Sequence, residues 1–247
     1  MPLDIDKYSV VPIYHQLKMV IQERIKSGEY GVDTNLPSER EFCEKYSISR
    51  MTVRQALSDL VKEGLLYRQR GKGTFVSSPK IEQVLSNLTS FTEDMLSRNI
   101  KPGVRMVELK KIEATASISK LLDVLENTPL FEIIRVRLAD DEPMAIETVY
   151  IPVHYYPRLS AEEVAHGSLY NVLRIKANLM IHEAVQSIEA DLAGQYEAEL
   201  LHIKPKSPVI LMKRLTKNAS GQTFEYVKSV YRGDRYIFTT KLYAKIT

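Results

Sequence analysis

The sequence predicts an α+β protein built in two parts, and three observations carry that prediction. Residues 38–76 hold two short capped helices, followed at once by a basic, glycine-containing hairpin. Beyond residue 89, strand-like runs alternate with short helical runs. The net charge of +3 lies wholly in the first third: residues 1–80 carry 13 Lys and Arg against 10 Asp and Glu, and residues 81–247 carry 21 against 21. A basic module beside a neutral one points to a reader of polyanions joined to a second function.

A chain of 247 residues has room for two domains, and 44% hydrophobic residues suffice for ordinary cores. No apolar run approaches the roughly 18 residues that would span a bilayer. The start, Met1-Pro2-Leu3-Asp4-Ile5-Asp6, is acidic and lacks the apolar core of a signal peptide. The single cysteine, Cys43, rules out an internal disulfide. These features predict a soluble, cytoplasmic protein. The expected boundaries are a first domain over 1–78, a linker over 79–88 and a second domain over 89–247.

Pro12 suits the first turn of a helix, where a missing N–H costs nothing. Ile13, Leu17, Val20, Ile21 and Ile25 then recur at helical spacing, and Gly28 is placed to stop the helix. Ser38 with Glu41 is a capping box ahead of a short helix containing Phe42, Cys43 and Tyr46. Ser49 caps the next helix, with Thr52 three residues on. Met51, Val53, Ala56, Leu57, Leu60 and Val61 supply its apolar residues, and Gly64 ends it. Strand-like arms over 65–68 and 74–76 flank Gly71-Lys72-Gly73, where glycine permits a positive-φ turn.

Arg50 and Arg54 lie four residues apart on the later helix. Arg50 falls in its first turn, where the helix dipole favours acids, so a structural role there is poorly served. A recognition helix enters the major groove N-terminus first, and an arginine there can fork onto guanine O6 and N7. Arg40 can reach a base edge or phosphate from the same side, and Ser38, Ser49 and Thr52 can add hydroxyl contacts to phosphate. Arg70, Gly71 and Lys72 at the hairpin tip suit the minor groove. The order is that of a winged helix-turn-helix with duplex DNA as its partner. Taken singly, each feature also reads as solvated helix surface or an ordinary hairpin. Cys43 reads as a small core residue.

Pro12-Ile13-Tyr14, Leu36-Pro37-Ser38-Glu39-Arg40, Ser49-Arg50-x-Thr52-Val53-Arg54-x-Ala56-Leu57, Glu63-Gly64-Leu65 and Gly71-x-Gly73-Thr74-Phe75-Val76 resemble the DNA-binding domain of the GntR superfamily. The resemblance implies that Arg40, Arg50 and Arg54 read an operator from the major groove, with Gly71 approaching the minor groove.

In the second part, strand-like runs fall at 106–112, 130–139, 144–151, 181–190, 208–216, 223–231 and 236–242. Helical runs fall at 117–125, 168–175 and 192–201. This reads as a mainly antiparallel sheet with helices packed on it. Arg135 and Arg137, two apart in a strand, share a face and offer paired forks to phosphate or carboxylate. Ser168 opens a helix beside Tyr170, and a helix N-terminus favours anions. Glu147 and Glu225 sit within apolar strands, with Tyr231 further along the strand of Glu225. The composite suits a phosphosugar. Arg137 pairing with Glu147 as a structural bridge, and Ser168 as a plain cap, are the alternatives that residue types leave open.

Residues 88–95, Arg135-Val136-Arg137-Leu138-Ala139, Pro143-Met144-Ala145-Ile146-Glu147, Phe224-Glu225 and residues 229–236 resemble the effector domain of the HutC subfamily, which shares its fold with chorismate lyase. Within it the resemblance is to repressors of amino-sugar utilisation, and it implies an amino-sugar 6-phosphate as effector. Arg135, Arg137 and Ser168 would hold the phosphate with Tyr170 nearby; Phe91, Thr92, Glu147, Glu225 and Tyr231 would line the sugar side. The expected protein is a homodimeric repressor released from a palindromic operator by glucosamine 6-phosphate or N-acetylglucosamine 6-phosphate, with no cofactor and no metal. A HutC-type repressor answering to another small anionic metabolite and a lyase-like enzyme are the competing readings. The second lacks a metal-ligand spacing, a nucleophile elbow and a phosphate-binding loop.

Overall fold

The computed structural model describes residues 5–69, 71–77, 80–165 and 168–243, and it divides between Lys80 and Ile81 into two compact units. In the first, α1 (Ile13–Lys26), α2 (Glu39–Tyr46) and α3 (Arg50–Lys62) precede a hairpin of β1 (Leu66–Gln69) and β2 (Gly73–Val76). Leu17, Val20 and Ile21 of α1 pack with Val53, Ala56, Leu57 and Leu60 of α3, and Phe42, Leu66 and Val76 complete the core. Met51, expected on the apolar side of α3, is instead exposed. It stands about 200° around the helix from Val53, so burial of that residue turns Met51 outward.

The second unit is built on six antiparallel strands in the order β4-β5-β6-β9-β8-β7: β4 (Pro102–Glu113), β5 (Pro129–Ala139), β6 (Glu142–Pro152), β7 (Ile181–Leu192), β8 (Pro208–Asn218) and β9 (Thr223–Arg232). Side chains alternate between its two faces. One face packs Leu130, Val136, Ile146 and Tyr226 against α5 (Ala116–Leu122) and α8 (Gln195–Leu201). The other packs Phe131, Ile133, Val149 and Ile151 against α6 (Ala161–Ala165) and α7 (Leu169–Ala177).

Two elements depart from the sequence reading. Residues 81–84, expected within a linker, form β3 (Ile81–Val84), paired in parallel with β10 (Tyr236–Thr239). The run over 236–242, expected as one strand among the rest, is therefore shorter and stands outside the six-stranded sheet. A four-residue strand whose partner comes at the far end of the chain leaves almost no local signal. Helix α4 (Phe91–Ser97), which the reading leaves unassigned, begins with a full capping box between Ser90 and Glu93.

Candidate functional site

The first unit gathers the predicted DNA contacts on α2, α3 and the hairpin. Ser38 caps α2 by accepting the Glu41 N–H (3.2 Å), and Glu41 accepts the Ser38 N–H in return (2.7 Å). That hydrogen bond from the Ser38 backbone holds the Glu41 carboxyl below the usual carboxylate range. Ser49 caps α3, and its hydroxyl also bonds that of Thr52 (2.8 Å). One hydroxyl proton of that pair is left over for an outside acceptor. Arg40 is highly exposed and pairs with Glu44 one turn on.

Arg50 and Arg54 are also largely exposed, yet both are tied to one acid. Glu39, the first residue of α2, accepts from Arg50 Nε at 3.0 Å and lies 3.9 Å from Arg54 Nε. The same carboxylate thus faces both guanidinium groups across the turn between α2 and α3. At the hairpin tip Gly71 has φ +77°, with open space where a Cβ would stand. Lys72 is exposed, and its N–H closes the turn onto Gln69 O (3.0 Å). Gly73 has φ +129°, and a Cβ there would meet the Asn35 side chain at 2.4 Å, so only glycine fits. Arg70 lies outside the described residues.

In the second unit one cavity, partly open to solvent, collects all nine predicted ligand-site residues: Phe91, Thr92, Arg135, Arg137, Glu147, Ser168, Tyr170, Glu225 and Tyr231. Its floor is the odd-numbered face of β5, β6 and β9 with the matching face of β8. Cross-strand register sets Arg135 opposite Glu147, and Glu225 opposite Thr216. One wall is the N-terminus of α7; another runs from β3 into the first turn of α4.

Arg135 donates to Glu147 (2.8 Å), and Arg137 Nε stands 3.7 Å from the same oxygen. Arg137 also donates to Thr92 (2.7 Å) and lies over the Phe91 ring at 4.7 Å. Tyr170 and Thr216 both donate to Glu225, at 2.8 and 2.7 Å. Phe91 and Thr92 thus sit on an arginine, and Tyr170 on a carboxylate, so the two ends divide differently from the expected phosphate and sugar sides. Ser168 serves as cap of α7, accepting the Asn171 N–H at 3.3 Å, and is also part of the cavity wall.

Sequence reasoning missed Arg214, Thr216, Ser229 and Gln83. Met212, Arg214 and Thr216 recur at the strand period of two on β8, a signal masked by the neighbouring lysines 213 and 217. Arg214 donates to Gln186 (2.8 Å). Burial opposes its charge, but Tyr170, Tyr231 and Glu225 outweigh that and raise its pKa.

Three arginines therefore face two carboxylates. Burial lowers the pKa of Arg137. It raises that of Glu225, against the hydrogen bonds from Thr216 and Tyr170. It pushes the Tyr231 phenol up to about 12. Nε and Nη1 of Arg135 and Nε of Arg137 are buried and make no hydrogen bond among the described residues. Buried donors left without acceptors are costly, and donors of this kind can serve an anion.

Residues 13–76 match the bacterial regulatory proteins of the gntR family, and residues 97–237 match the UTRA domain. The chain is 47% identical over 236 residues to the HTH-type transcriptional repressor NagR of Bacillus subtilis (strain 168), covering 96% of this chain and 97% of that protein. The chain is a GntR-family transcriptional regulator with a UTRA domain. The crystal structure of PhnF from Mycobacterium smegmatis, 30% identical, superposes with a TM-score of 0.67 over 92% of this chain and 99% of that one. The mannosyl-D-glycerate transport/metabolism system repressor MngR of Escherichia coli (strain K12) is 28% identical over 92% of this chain and 95% of that protein. As a GntR-family regulator, the chain binds DNA and takes a small-molecule effector in its UTRA domain, and it is not an enzyme. Among the described residues, no helix is long and apolar enough to cross a membrane.

Proposed function

We propose that this chain is a cytoplasmic repressor that holds a palindromic operator as a homodimer and releases it when the UTRA domain takes up an amino-sugar 6-phosphate. The observation that carries the effector class is the set of buried guanidinium N–H groups on Arg135 and Arg137 that make no hydrogen bond among the described residues, in a cavity with one cation in excess. A phosphate supplies the missing acceptors, and a planar fork suits its geometry. Glu147 and Glu225 offer acceptors to hydroxyl or amino groups. The sheet ends in β7, an edge strand that leaves Val185 67% and Leu192 58% exposed, which supports a second copy as its cover.

Two-fold pairing of reading heads matches a palindromic site. Release follows if the effector favours a placement of the heads that mismatches the half-site spacing. The test is fluorescence anisotropy of the full chain on a duplex it selects from a random pool. Glucosamine 6-phosphate or its N-acetyl form is expected to weaken binding, and inorganic phosphate alone to do far less. Operator affinity unchanged across a phosphosugar panel overturns the reading. The rival, another small anion, draws on relatives whose names specify mannosyl-D-glycerate and, as probable, fructoselysine; the same panel extended to such compounds separates the two.

On the DNA side, Lys72→Ala is expected to weaken all duplexes evenly and to lower the slope of log affinity against log salt by about 1 per reading head. A salt titration of parent and variant checks this. A loss confined to the selected sequence would assign Lys72 to base reading instead.

A further inference from the structure

Gln83 stands on β3, three residues after the divide between the two units, and is 6% exposed. The strand alternates, with Ile81 and Gln83 inward and Glu82 and Val84 outward. Ile81 packs into the core beside Phe91 and Tyr231, whereas Gln83 lines the cavity. Among the described residues the Gln83 side-chain amide has no hydrogen-bond partner. The residue is buried as a whole but its amide opens on the cavity, where a bound molecule can meet it. It presents a donor and an acceptor together, the complement of a sugar hydroxyl or an acetamido group.

β3 is also a weak element. It has four residues and one partner strand, β10, which places it among the parts of a fold that open most easily. Its partner is tied to the cavity as well: Phe238 is the register partner of Gln83, and its ring lies 5.3 Å from that of Tyr231. A ligand that engages Gln83 orders the first strand behind the DNA-reading unit.

We propose that Gln83 contacts the effector through its side-chain amide and that this contact fixes β3, the strand through which the chain continues into the DNA-reading unit. The proposal rests on the phosphosugar reading of the cavity. Its test is calorimetric titration of the full chain with glucosamine 6-phosphate, paired with hydrogen exchange of the amides over 81–85. In the parent chain the ligand is expected to bind and to slow exchange there. In Gln83→Met, of similar length but without the amide, affinity is expected to fall about tenfold. Exchange over 81–85 should then stay at its ligand-free rate, while β5 and β6 remain protected. Gln83→Glu, which keeps the shape and removes the donor, guards against a folding defect and should show the same loss of protection. Parent-like affinity and protection in both variants overturn the proposal alone. A parent chain that binds no phosphosugar overturns the phosphosugar reading, and this proposal with it.

Discussion

Glucosamine 6-phosphate is expected to bind Arg137→Met at least about a hundredfold more weakly than the parent chain, a loss of about 3 kcal/mol. Arg137 is 2% exposed, fixed by Thr92 on one side and the Phe91 ring on another, with Nε unbonded. A guanidinium held in this way needs little reorganisation to accept a phosphate oxygen, so its removal takes away a preformed, desolvated contact. Arg137 is a better probe than Arg135. Glu147 takes its hydrogen bond from Arg135 at 2.8 Å and has Arg137 only at 3.7 Å. Truncating Arg135 strands a buried carboxylate and endangers the fold, whereas truncating Arg137 leaves that pair intact. Calorimetry on the full chain reads the affinity, and anisotropy on the selected duplex should give parent-like DNA binding without sugar phosphate. Affinity within a few-fold of the parent would remove Arg137 from the phosphate site.

The same residues show what is legible in the sequence and what is not. Arg135 and Arg137 are legible because arginines two apart in a strand, beside the apolar Phe131, Ile133 and Ile134, share one face. Glu147 and Glu225 are legible as acids within apolar strands. Arg214 obeys the same period, but Lys213 and Lys217 beside it make β8 resemble an ordinary wet strand. Gln83 is hidden more deeply. Its burial depends on a parallel partner supplied by Tyr236–Thr239, a long-range pairing that no local pattern encodes. Helix α4 is an opposite case, since Ser90 and Glu93 spell its capping box plainly at the required spacing. In the first unit the caps at Ser38 and Ser49 are local devices, and the helices start where those residues place them. The link from Glu39 to Arg50 and Arg54 is tertiary, and Glu39 alone reads as one more acid in a first helical turn.

That link shapes the second large effect. Under the proposed major-groove reading, Arg50→Ala and Arg54→Ala are each expected to cost about 1–3 kcal/mol on the selected duplex and to relax base preference. The two losses should not add. Both arginines share the Glu39 carboxylate, so removing one alters the hold on the other, and residues in one ion-pair network couple. Glu39→Gln separates positioning from charge. It removes a negative charge from a surface that meets phosphates, so affinity for unrelated duplex should rise. It also frees both guanidinium groups, which are largely exposed and have few other restraints, so preference for the selected sequence should fall. The decisive quantity is the ratio of the two affinities at one salt concentration, measured for parent, Glu39→Gln and the two arginine variants. A lower ratio in Glu39→Gln with stronger unspecific binding marks an acid that orients the reading arginines. An unchanged ratio, with both affinities shifted equally, would reduce Glu39 to background charge and leave Arg50 and Arg54 to find their bases unaided.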